Sequence, residues 1–386
     1  MRICIIGGGV AGLSSALFLQ KHLGSRISGI IKILERKPVQ ELIGNTSSIN
    51  VGIWSTALNA INSLENGTIL RQLESKGKYV TEVGYRNPLG QWLATSRLSE
   101  KLYTSKHNVT RQPSLLFLQE NDLKSTLLNS VQSYQSSIEI LTENIDEQSI
   151  ELIQEEYDVV LGCDGPESVV RKSAFNNSKF AALKPKPYVV FRGNSYLAQH
   201  LAFQTWGYDS YMRFAYVPTR SGSVWFATIA KDLIGDINSG SSSMIKSNLM
   251  DAFSSWHAPV VDLIDATPSS SILVEQAFGL DYEAASVILA ENKNVTLIGD
   301  AGHCCDPVLA QGFTVAIEDA AQLAYHLRHV EPNDIVGALR TYEKSRKSRI
   351  QSLWTTTALV THLAHLPWPL GNLRDVSLQL TPDAVK

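Results

Sequence analysis

The sequence predicts an α/β protein in which a Rossmann-like dinucleotide-binding domain carries an inserted antiparallel β-sheet domain and a helical tail at the carboxyl end. Three observations support this prediction. A strand, a glycine-rich turn and a helix open the chain. A second strand, loop and helix follow in the same order around residue 300. Between residues 185 and 230 the residues alternate in the pattern of antiparallel strands.

The opening unit has the order of parts that a dinucleotide site needs. Gly7 permits a tight turn after the first strand, Gly9 lets the backbone approach a pyrophosphate, and Gly12 allows the helix to pack closely on the strand. A second strand, at 29–34, ends at Glu35, whose carboxylate can accept hydrogen bonds from ribose hydroxyls. An acid at this place fits an unphosphorylated ribose, as in FAD or NAD, better than that of NADP.

The second unit places a carboxylate and a helix start close together. An apolar run at 295–298 ends in Gly299-Asp300, and a helical pattern begins at Gly312 after a loop. The strand end directs Asp300 at a hydroxyl-bearing ligand. The first turn of the helix offers unpaired backbone N–H groups and a positive dipole end to an anion.

A third strand ends in glycine and aspartate at Gly162-Cys163-Asp164-Gly165. Asp164 either caps the helix that follows or also lines the cofactor site, and capping as its sole role stays an alternative.

Composition excludes several classes of function. The chain has 386 residues, 44% hydrophobic and 18% charged, with a net charge of −3, so neither nucleic-acid binding nor disorder is predicted. Four cysteines without disulfide or CxxC spacing favour a reducing compartment, and a first strand directly after Met1 leads us to expect a cytoplasmic protein without a targeting segment. No apolar run reaches the ~18 residues of a membrane span. No metal site is predicted, because the four consecutive residues His303 to Asp306 do not converge easily on one ion.

On three motifs the chain resembles the class A flavin-dependent monooxygenases, the para-hydroxybenzoate hydroxylase-like family. The motifs are the glycine-rich turn with Glu35, the Asp164-Gly165 pair and the Gly299-Asp300 pair, and the similarity extends to about residue 350, including Arg346 and Arg349 of the tail helix. From their charge we expect these two arginines to clamp the tail helix to the sheet domain through carboxylates.

Three positions depart from the family pattern. Ala310 stands at the first glycine of the P-x-x-G-Q-G motif, and Thr314 stands where asparagine is common. Glu120 falls where an arginine often occurs, which leaves Arg111 or Gln119 as substitutes near the flavin.

The resemblance implies FAD as cofactor and NAD(P)H as a transient reductant. Asp300 is then expected at the ribityl region of FAD, and the helix from Gly312 at the pyrimidine ring of the flavin. The full predicted set of cofactor contacts is Gly7, Gly9, Ala11, Gly12, Glu35, Arg36, Arg111, Asp164, Asp300, Gly312 and Phe313.

The resemblance also divides the chain. The FAD-binding domain is expected at 1–78, 110–178 and 280–345, the substrate-binding sheet at 79–109 and 179–279, and a helical tail at 346–386.

In the family, the sheet supplies the substrate pocket. We expect substrate contacts from Arg192, Met212, Phe214 and Tyr216, with Tyr216 and Pro307 as candidate catalytic residues. For the apolar and aromatic members, a place in the core or at a dimer interface remains the alternative.

The predicted function is therefore an FAD-dependent monooxygenase. It would use NAD(P)H and O2 to hydroxylate or epoxidise a small, largely apolar, aromatic substrate through a flavin hydroperoxide. Two alternatives stay open: an FAD-dependent dehydrogenase or reductase on the same scaffold without oxygen insertion, and a non-catalytic flavin-binding partner protein. The expected partners are a small-molecule substrate and O2.

Overall fold

The computed structural model describes residues 1–44, 49–98, 101–105, 108–112, 115–174, 182–197, 201–209, 211–234, 240–280, 293–331 and 334–380. Its strands are β1 Ile3–Ile6, β2 Ile31–Glu35, β3 Asn50–Trp54, β4 Lys78–Val80, β5 Glu82–Arg86, β6 Trp92–Arg97, β7 Lys101–Ser105, β8 Asn108–Gln112, β9 Leu115–Gln119, β10 Ile138–Thr142, β11 Val159–Gly162, β12 Lys184–Ser195, β13 Ala202–Trp206, β14 Arg213–Pro218, β15 Ser223–Ala230, β16 Leu273–Gly279 and β17 Val295–Leu297. Its α-helices are α1 Val10–Leu23, α2 Ser55–Asn62, α3 Thr68–Lys76, α4 Glu120–Ser133, α5 Ser149–Glu156, α6 Val169–Ala174, α7 Lys231–Ile234, α8 Ser242–Ala252, α9 Val260–Asp265, α10 Asp300–His303, α11 Gly312–Leu327, α12 Ile335–Ala364 and α13 Leu370–Leu380.

The chain forms two compact units, each built from three separate segments. Unit 1 comprises Met1–Ser75, Gln119–Lys184 and Phe278–Thr357. Unit 2 comprises Lys76–Leu118, Pro185–Ala277 and Ala358–Lys386. Among the described helices, none is both long and apolar enough to cross a membrane.

Unit 1 contains a parallel sheet of five strands in the order β10-β2-β1-β11-β17. Strands buried on both faces are apolar throughout, which explains why the sequence near residues 3–6 and 159–162 lacks alternation. Helices α1 and α11 pack against each other beside this sheet. Because parallel strands end at the same edge, the turns after β1, β11 and β17 are brought together. The predicted Rossmann-like fold is confirmed.

Unit 2 contains a seven-stranded sheet in the order β16-β12-β15-β14-β13-β5-β6. Its central strands β12, β15, β14 and β13 are antiparallel, as the alternation predicted. One face is covered by α8 and α9, and their apolar residues form a core with alternate residues of the strands. We call this the core face, and we call the side turned away from α8 and α9 the open face. Part of the open face is covered by His365, whose Nε2 lies 3.1 Å from Oγ1 of Thr228.

Residues 346–386, the expected helical tail, are divided between the two units at Thr357 and Ala358. Arg346 and Arg349 form ion pairs with carboxylates of α11 in unit 1. Carboxylates are thus their partners as predicted, but they belong to unit 1 and not to the sheet domain, so the predicted place of the clamp is wrong. In unit 2, Tyr208 donates a hydrogen bond to Asp375 at 2.7 Å.

Candidate cofactor site

The turn after β1 is closed on two sides and open on the third. Gly7 has φ +104°, in the region that favours glycine, and a Cβ added there would meet the Cys163 carbonyl oxygen at 2.4 Å. A Cβ at Gly12 would meet the carbonyl oxygen of Gly7 at 1.9 Å, so α1 packs directly on the turn. In the described part of the chain, a Cβ at Gly9 would meet nothing within 4 Å, and no side chain caps α1 there. The free N–H groups at this helix end suit an anion such as a pyrophosphate.

Glu35 lies at the end of β2 and points back at the turn. Its Oε2 accepts a hydrogen bond from the backbone N–H of Gly8 at 2.6 Å, and its Oε1 accepts one from Lys37 at 3.0 Å. The side chain is half-buried. Because a carboxylate oxygen can accept two hydrogen bonds, both oxygens of Glu35 can also bind ribose hydroxyls.

Asp164 caps α6 with one carboxylate oxygen, and its other oxygen accepts no hydrogen bond from the α6 amides. Oδ2 accepts hydrogen bonds from Val169 at 2.7 Å and Val170 at 3.2 Å. Oδ1 is buried and has no hydrogen-bond partner within the described ranges. Burial raises the pKa of Asp164, although hydrogen bonds from Ser168 and the helix amides oppose the rise.

Asp300 and the start of α11 meet at the end of β17. The Oδ1 atom of Asp300 lies 3.7 Å from a Cβ built on Gly312, the first residue of α11. The preceding Gly299 has φ +63°, and its added Cβ would lie 2.9 Å from Cβ of Ala316 and 3.6 Å from Cβ of Ala11. The turn therefore touches both helices. Burial raises the pKa of Asp300, while His303 and Arg171 act in the opposite direction.

The turn before α11 contains two of the departures from the family pattern. Ala310 adopts the left-handed conformation, with φ 49° and ψ 42°, at the place where the family has glycine. Thr314 is fully buried and accepts a hydrogen bond from the backbone N–H of Trp54 at 3.0 Å. Among the residues that the structure describes, no side chain caps α11. Its amide groups thus remain available to a ligand.

A network of buried charges lies behind these turns. Asp319 of α11 accepts hydrogen bonds from His303 and Arg346, both at 2.6 Å. Its neighbour Glu318 pairs with Arg346 at 2.9 Å and with Arg349 at 3.1 Å. Burial opposes ionisation of both carboxylates, but these cations and the hydrogen bonds lower their pKa values below the ordinary range.

The remaining predicted cofactor residues are placed as follows. Ala11 is in the first turn of α1, Phe313 is in the first turn of α11 and half-buried, and Arg36 is exposed after β2. Arg111 lies in β8 of unit 2, but its side chain lies outside the part of the chain that the structure describes. At the third departure, Glu120 forms an ion pair with Lys124 at 2.6 Å.

The predicted substrate residues fall on different faces of the sheet in unit 2. Met212, Phe214 and Tyr216 are buried in the core face, the core alternative that the sequence left open. Tyr216 stacks on Phe203 with ring centroids 5.3 Å apart. Arg192 lies on the open face, because its neighbour Phe191 points into the core. Pro307 is an exposed residue of unit 1, at the start of the 3₁₀ turn before α11.

Arg192 has further neighbours on the open face. Arg192 lies opposite Phe226 of β15, and Phe226 lies opposite Ala215 of β14. The Nε atom of Arg192 lies 2.9 Å from Oε2 of Glu275. Gln204 of β13 lies opposite Ala215 of β14 on one side and opposite Tyr85 of β5 on the other, so these residues share the same face.

Sequence reasoning missed Glu318 and Asp319 as parts of the site. A signal was available for the two acids, because they follow the apolar residues 315–317 and directly precede Ala320 and Ala321 in a helical pattern. An adjacent acidic pair within a buried helix requires cations from elsewhere in the fold.

Three turns of unit 1 thus bring together two uncapped helix ends and three carboxylates. This arrangement and the parallel sheet define a dinucleotide-binding protein of the Rossmann type. A family model described as "FAD binding domain" matches residues 139–357. The chain belongs to this family, and FAD is its cofactor.

Similar proteins agree with this assignment. The chain is 25% identical over 366 residues to aurachin C monooxygenase/isomerase of Stigmatella aurantiaca, covering 90% of this chain and 86% of that protein. It is 27% identical over 365 residues to 6-hydroxynicotinate 3-monooxygenase of Pseudomonas fluorescens, covering 90% and 88%. Klebsiella pneumoniae HpxO, solved with FAD and uric acid, has a similar fold, with a TM-score of 0.76, 18% identity and coverage of 100% and 94%. The protein is an FAD-dependent oxidoreductase of the monooxygenase family.

Proposed function

We propose that the protein uses NAD(P)H and O2 to insert one oxygen atom into a small, largely apolar, aromatic substrate by hydroxylation or epoxidation. The observation that carries the proposal is the convergence in unit 1 of the α1 start, Asp164, Asp300 and the α11 start. Bound FAD supplies the redox and oxygen-transfer chemistry. The protein contributes binding, orientation and charge stabilisation.

Each part of the site has a distinct task in this proposal. The amides at the start of α1 bind the pyrophosphate, and Glu35 accepts hydrogen bonds from ribose hydroxyls. The free oxygen of Asp164 and the carboxylate of Asp300 accept hydrogen bonds from other hydroxyls of the cofactor. The amino end of α11 stabilises negative charge on the pyrimidine ring of the flavin.

We assign substrate contacts to the open face of unit 2. Arg192, Phe226, Gln204 and Tyr85 share that face and combine aromatic surface with polar groups. A mostly apolar surface with a few polar groups that fix orientation is typical of small-molecule sites. The core position of Met212, Phe214 and Tyr216 supports this reassignment, because residues packed under α8 and α9 have no free surface for a ligand.

The proposal is tested with purified holoenzyme. NADH and NADPH oxidation and oxygen uptake are followed with phenols, alkenes, 6-hydroxynicotinate and uric acid, and products are analysed by mass spectrometry. We expect one compound to couple NAD(P)H consumption to oxygen uptake and to gain one oxygen atom. Substrate-dependent NAD(P)H oxidation without an oxygenated product would instead favour the dehydrogenase, and bound flavin that no nicotinamide reduces would favour the binding protein.

Substrate contact by the open face has its own test. Arg192→Met is expected to raise KM for the active compound with little change in FAD content. The matched control is Arg220→Met, because Arg220 donates to the backbone carbonyl of Gly77 within the same unit and lies outside the proposed contacts. Equal KM values for the two variants would contradict the assignment of Arg192.

A further inference from the structure

One buried carboxylate holds both ends of the segment that carries Asp300. The Oδ2 atom of Asp319 accepts a hydrogen bond from the backbone N–H of Gly299 at 2.9 Å and another from Nε2 of His303 at 2.6 Å. Gly299 immediately precedes α10, and His303 is its last residue. Asp319 itself has no exposed surface.

The hold matters because the turn adopts an unusual backbone conformation. Gly299 has φ 63° and ψ −139°, which residues other than glycine rarely adopt. A single turn of helix such as α10 has little stability of its own. Two sets of contacts hold this segment in place: those with Asp319 at its two ends, and hydrogen bonds from Arg171 to the carbonyl oxygens of Asp300 at 3.4 Å and Ala301 at 2.7 Å.

Charge strengthens these contacts. Burial alone would raise the pKa of Asp319, but His303, Arg346 and the Gly299 amide together keep that pKa below its ordinary value. The group is thus ionised at neutral pH, and hydrogen bonds to an ionised acceptor are the stronger kind. On the other side, Oδ1 of Asp319 accepts a hydrogen bond from Nε of Arg346.

The same network reaches the second turn of the cofactor site. Arg346 also binds Glu318, and Glu318 binds Arg349. Arg349 donates to Oε1 of Gln311 at 3.1 Å, and Gln311 is the residue that precedes α11. A continuous set of hydrogen bonds therefore joins the Gly299-Asp300 turn to the Gln311-Gly312 turn.

We propose that His303 is a positioning residue for the cofactor: through its hydrogen bond to Asp319 it keeps Asp300 beside the start of α11. The inference rests on the proposed contacts of Asp300 and Gly312 with FAD. It assigns no proton transfer and no direct cofactor contact to His303.

A purely structural role is the competing explanation, and the chain offers a matched control for it. Arg340 pairs with Glu343 at 2.8 Å and donates to the carbonyl of Val295 at 2.7 Å. This buried pair lies at the beginning of β17, whereas Asp300 follows the end of the same strand. Arg340→Met should lower stability without moving the cofactor site.

The test compares FAD affinity and the visible circular dichroism of bound flavin at a temperature where every variant is folded. His303→Leu should raise the dissociation constant for FAD about tenfold, by analogy with residues that orient the ligands of metal sites, and should change the flavin spectrum. His303→Gln should restore most of both, because its amide can still donate to Asp319. Arg340→Met should leave both unchanged. If His303→Leu does not fold, His303→Asn takes its place, since its shorter amide does not reach Asp319.

Asp300→Ala separates the two levels of the argument. The inference is supported if Asp300→Ala and His303→Leu both weaken FAD binding while Arg340→Met does not. If Asp300→Ala weakens binding but His303→Leu binds FAD as the wild type does, the role of His303 is refuted and the proposed site stands. If Asp300→Ala also binds FAD normally, the proposed site and the inference fall together. An equal effect of Arg340→Met and His303→Leu would show that His303 acts on stability alone.

Discussion

Glu343 provides a sharp test of the electrostatics of unit 1. Its Oε1 accepts hydrogen bonds from Arg340 at 2.8 Å and from Thr296 at 2.7 Å, and its other oxygen is buried without a hydrogen-bond partner among the described residues. Burial raises the pKa of Glu343 from 4.5 to about 7, although Arg340 and Thr296 oppose the rise. The perturbation is Glu343→Gln, which keeps the shape and removes the charge.

The direction of the effect follows from the two pKa values. In the unfolded chain the carboxyl ionises near pH 4.5, and in the folded protein near pH 7. The cost of ionising it in the folded state is therefore absent below pH 4.5, grows as pH rises, and is complete above pH 7. Because one pKa unit corresponds to about 1.4 kcal/mol, the full effect is about 3 kcal/mol. The side chain is only 9% exposed, so solvent screening reduces this figure little.

The free energy of unfolding of both proteins is measured by urea titration at intervals from pH 4.5 to 8. We expect Glu343→Gln to gain about 3 kcal/mol relative to the wild type across this range. Glu318 and Asp319, whose lowered pKa values act in the opposite direction at lower pH, are present in both proteins and cancel in the difference. A difference that stays constant from pH 4.5 to 8 would refute the reasoning.

Substitutions at three further positions test the cofactor turns. Gly12→Ala places a Cβ 1.9 Å from the backbone oxygen of Gly7, so the turn must move. We expect the purified protein to lose FAD and to lose about 1–3 kcal/mol of unfolding free energy. Full flavin content in this variant would contradict the close packing of α1 on the turn. Ala310→Gly relieves the left-handed strain of alanine, which costs the folded protein about 1–2 kcal/mol. Glycine also raises the entropy of the unfolded chain, which offsets about 0.4–1 kcal/mol of that gain. Urea titration should therefore show a net increase in unfolding free energy of about 0.5–1 kcal/mol, and a decrease would disprove the assigned conformation. Thr314→Val leaves the backbone N–H of Trp54 without its acceptor and should lower the unfolding free energy by about 1–3 kcal/mol. Thr314→Ser keeps the hydroxyl and should lower it less. Equal losses in the two variants would show that packing, not the hydrogen bond, sets the effect.

The departures from the family pattern have different structural explanations. Thr314 supplies a hydroxyl to a backbone amide, and Glu120 is neutralised by Lys124 one helical turn later. Ala310 keeps the backbone conformation that glycine normally provides. The backbone at position 310 therefore has a left-handed conformation although its residue is alanine.

Local patterns were sufficient to predict the glycine-rich turn, four of the five strands of the parallel sheet, the alternating pattern between residues 185 and 230, and the two helix starts of the cofactor site. Gly7 and Gly12 could be assigned because only glycine fits their close contacts with neighbouring backbone, and such requirements are visible over a few residues. Alternation likewise predicted that β14 has two different faces.

The sequence could not decide which face of that strand is covered. The choice depends on α8 and α9, which come later in the chain and bury Met212, Phe214 and Tyr216 rather than Arg192. For the same reason the partners of Asp319 could not be predicted. They come from His303, sixteen residues earlier, and Arg346, 27 residues later, so only tertiary packing brings these charges into contact. Short-range periodicity and glycine geometry were thus determined by the sequence itself, whereas burial and charge pairing were decided by contacts that form only when distant segments fold together.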